Sequence, residues 1–205
     1  MTMKYENLLP VDGEIYLFPD LFDRSASNHL FEWLRQHIQW KQEPVKIMGK
    51  EMMQPRLTAW YGEEGKAYSY TGITMYPLPW TSELLTIKKV IEEVSGECFN
   101  SALLNFYRDG NDSVGWHRDN EKSLGANPVI GSVSFGARRA FSLKHCKDKK
   151  LRGKIMLENG SFLLMKGATQ HNWLHCIQKD PAITSPRINI TFRTIKALAS
   201  SQDTD

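Results

Sequence analysis

Two stretches of the chain repeat their apolar residues at helical spacing. From Asp23 to about Gln39, Leu30, Phe31, Leu34 and Ile38 recur every few positions, and Asp23 or Ser25 can accept the first free amide. From Ser82 to about Val94, Leu84, Ile87, Val90, Ile91 and Val94 draw a second apolar stripe, with Ser82 placed to cap its start and Gly96 to end it. After Gly96 the period shortens. Ala102–Tyr107, Val129–Phe135, Ala140–Lys144, Lys154–Leu157, Ser161–Met165 and Arg187–Ile195 are rich in β-branched and aromatic residues. Turn formers such as Asp109-Gly110-Asn111-Asp112 and Glu158-Asn159-Gly160 break them apart. Short strands at this spacing predict an antiparallel sandwich or barrel, buttressed by the helices that precede it, in an α+β layout. Between the helices, Lys46–Trp80 is rich in Tyr, Trp and Pro and reads as hairpins and loops rather than core.

No repeat, low-complexity tract or Pro/Gly/Ser-rich linker divides the 205 residues. A single domain over 1–196 is expected, with the small, polar end at 197–205 frayed. A 41% hydrophobic and 24% charged composition excludes a wholly disordered chain. Lys and Arg number 26 against 23 acidic residues, and this mild excess permits a polyanionic partner without demanding one. Cys98, Cys146 and Cys176 form no CxxC pair, which fits a reducing compartment. The opening MTMKYENLLPVDGEIYLF lacks the pattern of a secretory signal, and no window approaches a membrane span. A cytoplasmic monomer is expected, at the nucleoid in a bacterium or nuclear in a eukaryote.

The chemistry begins at His117-Arg118-Asp119. In an extended strand, residues two apart share a face, so one imidazole and one carboxylate converge. A third ligand from His171 or His175 would complete a facial set of two His and one carboxylate, the arrangement of non-haem Fe(II) oxygenases. The same three residues also occur as a surface His beside a solvated Asp. In Arg187–Arg193, the residues Arg187, Asn189, Thr191 and Arg193 share one strand face and Ile188, Ile190 and Phe192 the other. An inward face with two guanidiniums calls for an anion, and a dicarboxylate such as 2-oxoglutarate would satisfy both. An outward, solvated edge strand is the alternative. Asn105 and Tyr107 offer two more donors on one strand face.

Together, Leu104–Gly110, His117–Glu121, Ser132–Gly136, Gly167–Gln170, Trp173–His175 and Pro186–Arg193 resemble the AlkB family of nucleic-acid dealkylases, in order and spacing, from about Pro55 to Ile195. The resemblance implies a double-stranded β-helix (jelly-roll) core and an Fe(II), 2-oxoglutarate and O2 dependent dioxygenase. It selects His175 over His171, giving His117, Asp119 and His175 as iron ligands. It implies that Arg187 and Tyr107 hold the distal carboxylate of 2-oxoglutarate, and that Asn105 and Arg193 lie near its 1-carboxylate, with Asn189 and Thr191 in support. The reaction it implies is oxidative demethylation of 1-methyladenine or 3-methylcytosine type bases in DNA, or in RNA, releasing formaldehyde, succinate and CO2.

The resemblance also implies a base pocket. Tyr70, or else Trp60, would stack on the target base against the His117 ring. Tyr68 and Glu121 would reach its edge, and Arg56 and Arg118 would lie near the nucleotide. These nucleotide-recognition hairpins and loops fall within 45–80. Met48 falls where duplex-acting relatives carry an apolar finger, and a methionine can wedge a base step. The basic run Lys144–Arg152 reads as a phosphate contact or as a solvated loop. Two other readings share the iron site: a 2-oxoglutarate hydroxylase of protein or small molecules, and a non-catalytic cupin-like metal-binding module.

Overall fold

The computed structural model describes residues 6–47, 49–64, 68–70, 73–75 and 77–196, with the backbone alone described at 46, 47, 50, 68–70 and 73–75. The chain runs through β1 (Glu14–Phe18), α1 (Arg24–His37), the hairpin β2 (Pro44–Ile47) and β3 (Lys50–Met53), and β4 (Leu57–Gly62). A second hairpin, β5 (Tyr68–Tyr70) and β6 (Ile73–Met75), leads to α2 (Ser82–Ser95). Then come β7 (Ser101–Tyr107), β8 (Val114–His117), a 3-10 turn (Lys122–Leu124), β9 (Ile130–Gly136) and β10 (Arg139–His145). The last elements are β11 (Arg152–Leu157), β12 (Ser161–Lys166), α3 (Thr169–Asn172), β13 (Trp173–Ile177) and β14 (Arg187–Arg193).

A major sheet of six strands has the order β1-β12-β9-β14-β7-β4, and a minor sheet of four has the order β11-β10-β13-β8. Pairing between their strands is antiparallel. Each strand sends alternate residues to opposite faces. On β14, Ile188, Ile190 and Phe192 join Leu104 of β7 and Val133 and Phe135 of β9 in one buried cluster. Leu30 and Leu34 of α1 and Leu84, Ile87 and Ile91 of α2 close that cluster from outside. A second cluster joins Tyr107, Ile130 and Leu163 of the major sheet to Phe141, Leu143, Ile155, Trp173 and Ile177 of the minor one. The result is three layers, helices on a sheet on a sheet, with a jelly-roll core.

Both helices lie close to where the apolar spacing places them. Asp23 caps α1, its side chain accepting from the Ala26 N–H at 2.8 Å, a contact that contributes about 1 kcal/mol. At α2 the cap is Thr81, one residue before the expected Ser82: Thr81 Oγ1 accepts from the Leu84 N–H, while the Ser82 hydroxyl donates to Glu83. Gly96 ends α2 at φ 69°, the left-handed conformation that glycine adopts without strain.

The main correction concerns Lys46–Trp80. Within it, β4 is a full edge strand of the major sheet, paired to β7 from Leu57↔Phe106 to Gly62↔Ser101, and Ala59 and Tyr61 enter the core. No helix of the described residues is long and apolar enough to cross a membrane.

Candidate metal and cosubstrate centre

His117 closes β8 and pairs in register with His175 on β13, their ring centroids 4.3 Å apart. Asp119 lies beyond the end of β8, so strand alternation alone does not place it. Buried Gln170 of α3 does: its Oε1 accepts from the Asp119 N–H at 2.9 Å. One ligand atom from each of His117, Asp119 and His175 lies within 4.8 Å of the others. Asp119 and His175 are buried, so this is not a solvated surface pair. His171, the other imidazole nearby, turns its Nε2 to Ala126 O and Asn127 Oδ1.

The protonation pattern suits a cation. His117 Nδ1 lies 2.8 Å from Gly115 O, which assigns the ring proton to that nitrogen and leaves the Nε2 lone pair free for a metal. Burial first, then the His117 and Arg193 charges, lower the His175 pKa to about 3 against the pull of Asp119, so its imidazole is neutral. Burial would raise the Asp119 carboxyl, but Arg193 and the two imidazoles outweigh it and hold the carboxyl below its ordinary value. Two imidazoles and one carboxylate form the donor set expected for ferrous iron.

The polar side of the major sheet faces the same centre. Register places Arg187 opposite Tyr107, Asn189 opposite Asn105, and Arg193 opposite Ser101 across β14 and β7. On its other side, β14 sets Asn189 opposite Ser134 and Thr191 opposite Ser132 of β9. Asn189 donates to Ser132 Oγ at 2.8 Å and accepts from the Thr191 hydroxyl at 3.0 Å. Arg187 is 1% exposed and donates from Nη2 to Ser134 Oγ at 2.9 Å. Its Nε and Nη1 are buried with no hydrogen-bond partner among the described residues. Burial lowers its pKa to about 10, so it remains a cation at neutral pH. A buried cation with two spare donors and no carboxylate partner among the described residues is suited to hold an anion, and its fork suits a carboxylate.

The structure brings Arg56 into this cradle: Nε donates to Asn105 Oδ1 at 2.7 Å. Asn105 in turn donates to Asn189 Oδ1 at 3.2 Å. Arg56 thus stands beside the expected cosubstrate residues. Trp60 shares the face of Thr58 and Asn105, half-buried, with its indole N–H on Ser101 Oγ at 2.6 Å. Glu121 Oε2 is buried and has no partner among the described residues. Arg118 is exposed and donates to His171 O at 2.9 Å. Tyr68 and Tyr70 pair with Met75 and Ile73, but their side chains, and the whole of Met48, lie outside the described residues.

Sequence reasoning included Gln170 and the two serines of β9 in the motifs of the resemblance without giving them a role, and it passed over Arg139. Arg139 is 1% exposed and donates to Asp109 O, Asp112 O and Gln178 O. Its guanidinium carbon and that of Arg187 lie 5.6 and 5.1 Å from the Tyr107 ring centroid. The serines carried a signal: Ser132-Val133-Ser134-Phe135 alternates with the period of a half-polar strand.

A family model of the 2OG-Fe(II) oxygenase superfamily matches residues 14–193. The alpha-ketoglutarate-dependent dioxygenase alkB homolog 3 of Mus musculus is 43% identical over 202 residues, covering 93% of this chain and 70% of that protein. DNA oxidative demethylase ALKBH2 of Mus musculus is 36% identical over 188 residues, covering 85% of this chain and 77% of that protein. The solved structure of OsALKBH1 superposes with a TM-score of 0.64 at 16% identity, over 90% of this chain and 98% of the other, a likeness of fold alone. With the triad at its centre and matches of this extent, the chain belongs to the 2OG-Fe(II) oxygenase superfamily, in its AlkB-like branch, a family of dioxygenases that use Fe(II), 2-oxoglutarate and O2.

Proposed function

We propose that this protein oxidatively removes N-linked methyl groups from nucleic-acid bases of the 1-methyladenine and 3-methylcytosine type. The observation that carries the reading is the shared centre: a His117/Asp119/His175 triad, with Asp119 and His175 buried, that meets the inward polar face of β14 at Arg193. Likeness to a relative named DNA oxidative demethylase, at 36% identity, supports the choice of substrate class.

His117, Asp119 and His175 hold the ferrous ion. Arg187 and Tyr107 take the distal carboxylate of 2-oxoglutarate. Asn105 and Arg193 sit by its 1-carboxylate, with Asn189 and Thr191 fixing their orientation. Iron with 2-oxoglutarate and O2 supplies a two-electron oxidation, giving succinate and CO2, and the hydroxylated methyl group leaves as formaldehyde. The protein's own work is placement and exclusion of water.

The target base stacks between the His117 ring and Tyr70, or Trp60. Tyr68 and Glu121 meet its edge, Arg56 and Arg118 border the nucleotide, and Met48 serves as the apolar finger. Methylation at the pairing edge blocks the base pair and adds positive charge, which lowers the cost of extrusion and favours a carboxylate beside it. A monomer suffices for this chemistry.

The test is a 3-methylcytosine oligonucleotide incubated with protein, Fe(II), 2-oxoglutarate and air, as single- and double-stranded DNA and as RNA. Restored cytosine with stoichiometric formaldehyde is expected. Succinate without base restoration would assign the same centre to a protein or small-molecule substrate. Failure to bind 2-oxoglutarate would leave a cupin-like metal module.

A further inference from the structure

The minor sheet has a second, outward face. Leu143, His175 and His117 stand in cross-strand register and point to the centre. Their neighbours Lys144, Leu174 and Trp116 therefore point away from it. On that face, Lys144 pairs across with Leu174 and Arg152 and lays its Nζ 4.3 Å from the centroid of the Trp116 ring. Trp116 remains 39% exposed.

The turn joining β10 to β11 begins two residues after the lysine that covers this ring. From Lys144 to Lys154 there are six cations, Lys144, Lys147, Lys149, Lys150, Arg152 and Lys154, against one carboxylate, Asp148. Lys144 is half-buried and the other five are exposed, and no carboxylate among the described residues forms an ion pair with any of the six. Asp148 accepts from the Lys150 N–H at 2.8 Å, so the single acid holds the turn rather than neutralising it. Buried His145 accepts the Lys147 and Asp148 N–H groups at Nδ1, and Arg152 donates to Lys149 O. The cations are thus displayed on a braced turn.

The turn is also tied to the metal centre. Arg118 follows ligand His117 and reaches, through Nη1, both His171 O at 2.9 Å and the sulfur of Cys146 at 3.9 Å. Cys146 precedes Lys147 in the chain. A charge run is ordinarily a solvated face. This one has an exposed aromatic ring beneath a lysine, a fixed backbone, and a direct link to the residue beside a metal ligand.

We propose that this outward face is a track for single-stranded nucleic acid. Lys147, Lys149 and Lys150 take successive phosphates, and Trp116 stacks a base of the strand beyond the one held at the metal centre. The assignment rests on the nucleic-acid reading above. Stacking on one tryptophan requires a base free of its own duplex stack, which selects single strands, and it tolerates any base.

The test measures binding of an unmodified, labelled single-stranded DNA, and RNA of the same sequence, to the full chain by fluorescence anisotropy across a salt series. K147A/K149A/K150A should weaken binding about tenfold near 0.1 M salt and reduce the slope of log K against log[salt] by about 2, at roughly 0.7 per lost phosphate contact. Trp116→Ala should weaken single-strand binding by about fivefold or more without changing that slope, Trp116→Phe should restore most of it, and duplex binding should respond to neither. Unchanged melting temperatures exclude misfolding as the cause. Wild-type affinity and slope in the triple variant would overturn the phosphate assignment, and wild-type affinity in Trp116→Ala would overturn the stacking one. Were the wild type to show this binding pattern yet restore no methylated base, the demethylase reading would fail while the track stood. Base restoration with unaltered binding by the variants would remove the track alone.

Discussion

Arg193 donates from Nη2 to Asp119 Oδ1 at 2.6 Å, joining the cosubstrate strand to a metal-ligand carboxylate. The other carboxylate oxygen, Oδ2, lies 4.0 Å from His175 Nε2, so the arginine fixes which oxygen faces the imidazoles. The two halves of the site are thereby one construction: β14 bears on both the anion cradle and the metal centre.

Arg193 should therefore affect metal as well as cosubstrate. Arg193→Ala leaves Asp119 without its partner, and loss of an outer partner of a metal ligand lowers affinity about 10- to 100-fold. Anaerobic titration with Fe(II), or with Mn(II) as a redox-silent substitute, reads this without turnover. Unchanged metal affinity would show that Gln170 and the backbone suffice to hold Asp119.

Arg187 should behave oppositely in two assays. Removing a charged partner from a buried pair costs about 2–5 kcal/mol, so Arg187→Met should weaken 2-oxoglutarate binding by roughly 30-fold or more. The protein without cosubstrate should be no less stable, and up to about 1–3 kcal/mol more stable, because the variant no longer buries a cation with two unpaired donors. Calorimetric titration and urea unfolding measure the two effects. A less stable variant would mean that the guanidinium is already satisfied.

Arg139 should be needed for stability. Arg139→Met strands three carbonyls, of Asp109, Asp112 and Gln178, at about 1 kcal/mol each. For a chain of this size that is roughly 6–12 °C in Tm. The turn it holds is tight: a Cβ on Gly110 would stand 1.7 Å from Asp180 O. A loss of only a degree or two would place the stapling elsewhere.

Asp112 should shape the acid limit. Burial raises its pKa, but hydrogen bonds from the Arg108 side chain and backbone N–H and the charges of Arg108 and Arg139 outweigh this, so it lies below 3.8 in the folded chain. A carboxyl with a depressed folded pKa contributes stability above its unfolded pKa and loses it as pH falls through the folded value. The stability gap between wild type and Asp112→Asn should be full at pH 7 and close progressively below about pH 4. Urea midpoints at pH 7, 5, 4 and 3 give the comparison, and a gap that stays constant across them would contradict the assignment.

Legibility from sequence followed periodicity. Arg187-Ile188-Asn189-Ile190-Thr191-Phe192-Arg193 has a strict period of two, which sorts its residues onto two faces of β14, while the sheet pairing on both sides shows that the strand is not an edge. Leu57–Gly62 has no such alternation, because Ala59, Tyr61 and Gly62 mix with half-buried Leu57 and Trp60, so its edge strand was invisible. Arg138 and Arg139 are adjacent and alike in sequence. One is an exposed partner of Glu158 at 2.8 Å, the other is buried against three carbonyls, and only the strand register separates them. The neighbours Thr81 and Ser82 carry the same hydroxyl, and the entry angle of α2 decides which one caps.

The most direct measurement of the whole account is an anaerobic titration of the protein with Fe(II) and 2-oxoglutarate, followed by visible absorption, in wild type and His175→Ala. In the wild type a metal-to-ligand charge-transfer band should saturate at one iron and one 2-oxoglutarate per chain, and in the variant it should be lost or greatly weakened. A wild type without the band, or a variant that keeps it at full strength, would contradict the assignment of these residues to iron.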